Sequence, residues 1–425
     1  MTASQSSSPV SALDNAGAML EREQAAQSFR ATLTISLITF VVMVPVTMMV
    51  APLKELIAVR YAASAFWTHS FMSVNMIGAI LAAPFIGLLA DRNRSRKRIA
   101  AIALAADAVL LSAMAAMPSL ALILVVRFLE GAAHILALST LMAIASGWAA
   151  AHRRGRTMGI VGAAMMFGSA CGTRAGGLVW QHAPGSVFQI AGVLAAAAAL
   201  ATLLFVAESP GRSRAHSLQR IRDVFGLLRT HPRLMIAYAY AFIDRLCVGV
   251  VITTFGLFLA DVHGLDPSAR SRLLLMFLLP FALLVYPAGR LVDRIGRVWP
   301  MALGSIAFGL TFASYGVLSL NGLYIAMILS GIFSAAMFAP NLTLCADFVP
   351  PAQRGAGFTG FNVAGSLGFV LGPLLAGGLF TLLARDGTAV SAYRTTFIAT
   401  GSAEILCALM TLPLLLKLRK TGITE

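Results

Sequence analysis

The sequence predicts an all-α membrane protein, with twelve transmembrane helices in two pseudo-symmetric six-helix bundles. Three observations carry that expectation. Hydrophobic residues make up 58 % of the chain and charged residues 12 %, with a mean hydropathy of +0.83, a composition foreign to soluble domains. Uncharged runs such as Ala31 to Leu53 and Tyr61 to Ala90 exceed the ~20 apolar residues that a helix needs to cross hydrocarbon. Lipid offers no partner to an unpaired backbone N–H or C=O, so these runs are helices and not open strands. Finally, the second half of the chain repeats motifs of the first.

In chain order, residues 1–30 are polar and expected to be a cytoplasmic tail, disordered over the first ~20 residues. No cleavable signal peptide is expected, because the first apolar run is long enough to span. The N-terminal bundle, 31–207, holds spans at 31–53, 66–90, 99–119, 120–148, 157–180 and 187–207. Glu208 to Arg233 is the longest polar segment between spans and makes a cytoplasmic central loop, 208–233. Its middle, "LQRIRDVFGLLR", alternates basic and apolar positions like a helix lying on a membrane surface. The C-terminal bundle, 234–416, holds spans at 234–260, 273–291, 298–319, 322–346, 357–383 and 394–416, and 417–425 is a cytoplasmic tail.

A net charge of +15 invites a nucleic-acid reading, which the topology removes. Of 32 Lys and Arg, 23 fall on the side of the termini and 6 on the other, namely Lys54, Arg60, Arg270, Arg272, Arg385 and Arg394. That asymmetry is the positive-inside rule, and it sets both termini in the cytoplasm. The remaining three, Arg127, Arg174 and Arg245, lie inside spans. Four cysteines sit in apolar spans without C-x-x-C spacing and read as small buried hydrophobes. "GAGFTG" follows no strand and opens a span, so it is no nucleotide loop. The histidines show no ligand-spaced pair, so no metal is expected.

The halves echo each other. "GLLADRNRSRKR" returns as "GRLVDRIGRVWP", matching Gly87, Asp91 and Arg92 to Gly289, Asp293 and Arg294 at an offset of 202. "RGRTMGIVGAAMMFGSACGTRAGG" returns as "RGAGFTGFNVAGSLGFVLGPLLAGG", matching Gly168 to Gly368 and Gly172 to Gly372 at an offset of 200. Paired six-span repeats are how secondary transporters are built, with the binding site near the midplane between them. With Arg127 and Gly131 as an R-x-x-x-G in span 4, these loops and repeats resemble the major facilitator superfamily over all twelve spans. The resemblance implies that Asp91 and Arg92, with Gly87 and their counterparts Gly289, Asp293, Arg294 and Arg297, latch the cytoplasmic side when the cavity faces outward. After Asp91-Arg92 the family's usual Gly-Arg is replaced by Arg94-Ser95, whereas "DRIGR" keeps Gly296 and Arg297. The resemblance also implies that spans 1, 4, 7 and 10 line the cavity.

Ionisable groups at membrane depth are costly and are therefore functional candidates. In "RFLEGAAH", Glu130 lies ~60° around the helix from Arg127, and His134 ~40° from Glu130, so the three share a face. Glu130 is about 14 Å and Asp244 about 15 Å from the ends of their spans, both near the midplane. Internal charge pairs that only hold helices in place remain the alternative. For Asp244 and Arg245 the two readings stand level, because adjacent residues diverge by about 100°. Arg174, near the periplasmic end of span 5, is a candidate for gating or substrate contact, whereas Asp107 and Glu404 fall in peripheral spans and are assigned structural roles. Span 5 keeps Gly168, Gly172, Gly176 and Gly177 but has Thr173 where proton-driven antiporters of the family often have Pro.

The expected function is a secondary active transporter, not an enzyme. It would move a small organic solute across a bacterial inner membrane by alternating access, as a monomer surrounded by membrane lipid. The expected driving force is the proton gradient without any cofactor, and the expected direction is export. Proton-coupled uptake and transport of a lipid or amphiphile on the same scaffold stay open. Three arginines against two carboxylates in one cavity would favour an anionic or zwitterionic solute.

Overall fold

A chain with more apolar surface than it can bury inside itself turns the excess outward to lipid. Ile102, Val109, Val193 and Leu204 are accordingly exposed on helix faces, while the groups that pair or pack point between helices. The computed structural model describes residues 9–92, 95–148, 154–208, 226–350 and 353–420. The side chains of 9–25, 83–92, 154–156, 293, 355 and 418–420 stand outside that description. Twelve long helical rods follow one another among the described residues. The first six are α1 (Pro9–Met48), α2 (Ala65–Arg92), α3 (Arg96–Met114), α4 (Leu120–Trp148), α5 (Arg154–His182) and α6 (Val187–Phe205). The second six are α7 (Leu234–Asp261), α8 (Pro267–Ile295), α9 (Val298–Ser314), α10 (Leu320–Asp347), α11 (Arg354–Asp386) and α12 (Ala389–Lys420). Nine of the described helices are long and apolar enough to cross a membrane on length and composition alone. The other three rods, α2, α3 and α5, have 28, 19 and 29 residues.

Local chemistry explains where rods begin and end. Asp266 caps α8 by accepting from Ala269 N at 2.7 Å, and Pro267 supplies a first helical residue that has no N–H to lose. The span therefore starts at Pro267 and not at 273. Span 3 stops at Met114, short of 119, ahead of Pro118. The tail expected to be disordered is helical from Pro9, in a stretch rich in Ala, Leu, Glu and Gln, all strong helix formers.

The repeat seen in sequence is a repeat in packing. In the first half α1 packs on α5 and α6, α2 on α4, and α3 on α4 and α6. In the second half α7 packs on α11 and α12, α8 on α10, and α9 on α10 and α12, the same pairings one copy later. Glycines set the closest of these approaches. A Cβ on Gly168 would stand 2.4 Å from the carbonyl oxygen of Phe40, and one on Gly368 1.9 Å from that of Phe242. Gly172 faces Val44 O and Gly372 faces Leu246 O in the same way, at 2.4 and 2.3 Å.

The two largest helix–helix contacts between the halves among the described residues are α2 on α11 and α5 on α8. Helices that alternate in direction put both chain ends on one face, the termini face, and the six odd-to-even connections, α1–α2, α3–α4, α5–α6, α7–α8, α9–α10 and α11–α12, on the far face. The apolar cores are unevenly shared between them. One cluster, with Ile35, Leu104 and Leu141, belongs to the first half, and another, with Tyr238, Met301 and Leu344, to the second, both toward the termini face. The largest spans both halves at the far face, where Met49, Val50 and Leu53 join one cluster with Val250, Val251 and Phe255. The halves are thus welded at the far face.

Candidate functional site

Within the first half, a buried polar group is assembled from α2, α3 and α4. Gly131 makes it possible: a Cβ there would lie 1.9 Å from the carbonyl oxygen of Asn75, so α4 and α2 touch backbone to backbone. Asn75 can then donate through Nδ2 to Glu130 Oε2, which also accepts from Arg127 Nη1 at 2.8 Å. The Arg127 guanidinium lies over the Phe71 ring at 5.1 Å from its centroid, and its Nη2 meets Met72 Sδ at 3.6 Å. One turn further along α4, His134 Nδ1 stands 3.5 Å from Asp107 Oδ2 on α3. Arg127 and Glu130 are 0 % exposed, Asp107 1 % and His134 8 %. Three buried polar atoms here have no hydrogen-bond partner among the described residues: Glu130 Oε1, Asp107 Oδ1 and Arg127 Nε.

The ligand atoms of Asp107, Glu130 and His134 lie within 4.8 Å of one another, the spacing of a metal site. The chemistry argues against one. Arg127 already places a fixed positive charge on Glu130, where it would repel a cation, so the group is a charge-compensated network with proton-binding capacity.

In the second half, Asp244 on α7 is buried with no hydrogen-bond partner among the described residues. Arg245 is half-buried, its guanidinium 5.8 Å from the centre of the Phe338 ring on α10. Glu404 on α12 is fully buried and accepts from Cys247 Sγ at 3.6 Å.

At the far face the halves are tied by charge. After α1 the chain makes a π-helical turn, Lys54–Val59, and α7 passes through another over Val251–Phe255. The first of these turns presents Lys54 and Glu55 to the opposite half. Lys54 Nζ is 2.6 Å from Asp261 Oδ1, Glu55 pairs with Arg270, and Tyr393 donates to Asp261 Oδ2 at 2.5 Å. Arg174 on α5 donates across the same seam to Ser268 O at 3.0 Å and Ser271 Oγ at 2.9 Å on α8. Ser73 on α2 donates to Val370 O on α11 at 2.8 Å. Tyr393 and Asp261 belong to the same half; of the contacts that cross between halves, those of Lys54, Glu55 and Arg174 lie at the far face and Ser73–Val370 lies nearer mid-depth.

Comparison with known proteins decides the family. A profile described as "Major Facilitator Superfamily" matches residues 35–266 and again 237–423. The chain belongs to the major facilitator superfamily. Among characterised relatives, it is 33 % identical to the puromycin resistance protein pur8 of Streptomyces alboniger over 120 residues, 28 % of this chain and 24 % of that one. It is 26 % identical to the quinolone resistance protein NorA of Staphylococcus aureus over 187 residues, 44 % of this chain and 45 % of NorA. The chain therefore spans less than half the length of either relative. Solved structures share the fold over nearly everything. A bacterial homologue of the human lysosomal transporter Spinster, inward-facing and unoccupied, superposes with a TM-score of 0.75 at 17 % identity, covering 91 % of this chain and 96 % of that one. The nucleoside transporter NupG gives 0.73 at 16 % identity, covering 91 % and 99 %. A D-xylose-proton symporter gives 0.68 at 16 %, covering 90 % and 96 %. Family and fold are those of membrane transporters.

As a superfamily member the chain places its expected residues unevenly. Arg127, Glu130 and His134 come together as their shared face predicts. They meet α2 and α3 inside the first half, however, and not open space between the halves, because Gly131 draws α4 onto α2. Arg174 is committed to the far-face seam, whereas Arg245 lies half-buried against Phe338. With Arg127 and Arg174 engaged elsewhere, the premise that all three arginines share one cavity is corrected. The side chains of Gly87, Asp91, Arg92 and Asp293 lie outside the described residues, although the backbone there is helical to Arg92 in α2 and through 293 in α8. Gly289 is half-buried beside Ala339, and Arg294 is exposed. Arg297 Nε stands 3.0 Å from Asp347 Oδ2 at the end of α10, which ties two helices of the same half. Sequence reasoning passed over Asn75 and the far-face charges, which read only as loop polarity, and it set Asp107 apart from the group it borders.

Proposed function

We propose that this transporter exports a small organic solute from the bacterial cytoplasm in exchange for protons, by alternating access across the inner membrane. The observation that carries the reading is a carboxylate, Glu130, held at mid-depth between a fixed arginine and a neutral amide, with one oxygen unpaired among the described residues. Such a group binds a proton when sealed and releases it when water reaches it, without a cofactor. The basic excess places the termini face in the cytoplasm. The far-face closure then corresponds to an inward-facing state, the state named for the Spinster homologue. The two resistance proteins aligned with parts of this chain support export. The chain holds both bundles itself, so the monomer is the working unit, in contact with lipid all round.

An anionic or zwitterionic solute now rests on Arg245. It is half-buried on α7 and stacked on Phe338, so its planar fork is preorganised for a carboxylate or phosphate. Uptake is the second reading, favoured by the fold shared with NupG and the xylose symporter. Purified protein in liposomes, loaded with metabolites extracted from a deletion strain, tests both. Accumulation of an organic anion inside inside-out vesicles, driven only when the lumen is acid, is the expected result. Flux that ignores the pH gradient refutes proton coupling, and flux with the reverse dependence establishes uptake.

A further inference from the structure

We infer that Asp107 and His134 are working parts of the proton site, and that the cluster they form with Arg127 and Glu130 holds one proton in the far-face-closed state. This rests on the proton-coupled reading above and deepens it. Burial makes net charge expensive in this environment. Arg127 contributes a permanent positive charge, and Asp107 and Glu130 contribute two negative charges when ionised, which leaves the sealed cluster one proton short of neutrality. No described neighbouring element supplies that charge. Asn75 and Met72 of α2 are the polar contacts from that side, and His69 of α2 is bound to its own helix at Ala65 O. Helix α6 and the membrane part of α1 carry no ionisable residue, and Arg174 of α5 is engaged at the far-face seam. Adding one proton closes the balance.

The geometry also says where the proton enters and stays. His134 keeps 8 % exposure while its partners keep 1 % or less, so the imidazole is the outer member. A neutral imidazole directs Nδ1–H at Asp107 Oδ2 and offers its other ring nitrogen to an arriving proton. Protonated, it turns the long 3.5 Å contact into a charge-assisted pair. The unpaired oxygens Asp107 Oδ1 and Glu130 Oε1 are the two inner positions that can hold the proton instead. Asp107 is thus a positioning residue that raises the cluster's proton demand, and His134 is the relay between water and Glu130.

The test uses the proton itself as probe. Intact protein in lipid nanodiscs is titrated across the neutral pH range while carboxyl protonation is followed by infrared difference spectroscopy. Wild type should show one carboxyl- or imidazole-linked proton per molecule in this group. Asp107→Asn keeps the shape and removes the charge deficit, so that proton should be lost, and Asp107→Glu should restore it. His134→Gln should slow proton equilibration by tenfold or more with the same final count, which serves if Asp107→Asn does not fold. An unchanged titration in folded Asp107→Asn, or unchanged kinetics in His134→Gln, overturns the inference. Gradient-independent flux in wild type refutes the coupling reading instead, and the titration separates the two failures.

Discussion

Glu130 shows what a single residue contributes and what replacing it should do. Its Oε2 takes two donors, Arg127 and Asn75, and its Oε1 takes none among the described residues. Glu130→Gln keeps the shape and removes the titration, so accumulation against a gradient should vanish while solute exchange between equal compartments persists, as measured by counterflow in liposomes. Continued accumulation in that variant transfers the carrier role to Asp244, the buried mid-depth acid on α7 of the second half. Arg127→Gln is a different experiment. It leaves buried carboxylates without their compensating cation, and removing one partner of a buried pair costs about 3–5 kcal/mol. Thermal unfolding in detergent should therefore drop sharply for Arg127→Gln and much less for Glu130→Gln. At this scale the sequence was informative, because i, i+3 and i, i+7 spacing forces three side chains onto one face. Which neighbours that face meets depends on Gly131, and helical spacing cannot show that.

Between elements, contact geometry decides how firmly helices are held. A Cβ at Gly131 would come within 1.9 Å of a carbonyl oxygen, against backbone that cannot step aside. Gly131→Val should push α4 off α2, break the Asn75 contact, and lower both stability and proton affinity. The far-face clasp offers a graded comparison. The Lys54–Asp261 pair is 31 % exposed on both sides, where an ion pair is worth ~0–1 kcal/mol. Arg270 is 1 % exposed and its partner Glu55 22 %, so that pair is screened much less. Arg270→Gln should therefore open the far face more than Lys54→Met does. Reactivity of a cysteine placed at the buried Ser271 toward a membrane-impermeant maleimide measures it. Equal labelling in the two variants, or none in either, removes the clasp as a gate.

For the whole molecule, alternating access needs one seam closed while the other is open. The far-face seam is closed here by Lys54, Glu55, Arg174, Asp261 and Arg270. The resemblance assigns the opposite seam to Asp91 and its neighbours. Asp91→Asn should then lose transport with abundance and membrane insertion near wild type, read by flux and by quantitative blotting. Unchanged flux makes the loop a topological anchor only. The contacts α2–α11 and α5–α8 are equivalent under the repeat, so on the proposed alternating-access reading they are where rocking would exchange the seams without unmaking either bundle.

The sequence by itself determined the class of molecule. Hydrocarbon admits only backbone that satisfies itself, so apolar length dictates helices, and the offsets of 200 and 202 between paired motifs require two bundles of like packing. It also placed Arg127, Glu130 and His134 on one face, since helical periodicity is a local property. Only the tertiary structure decided what those residues touch. Asp107 is 20 residues from Arg127 in the chain and joins the group because α3 packs on α4. Asn75 joins because a glycine lets two backbones meet. Glu55 and Arg270 become partners because the far face is shut, and pairing between distant segments follows from the conformation and not from the pattern of either segment.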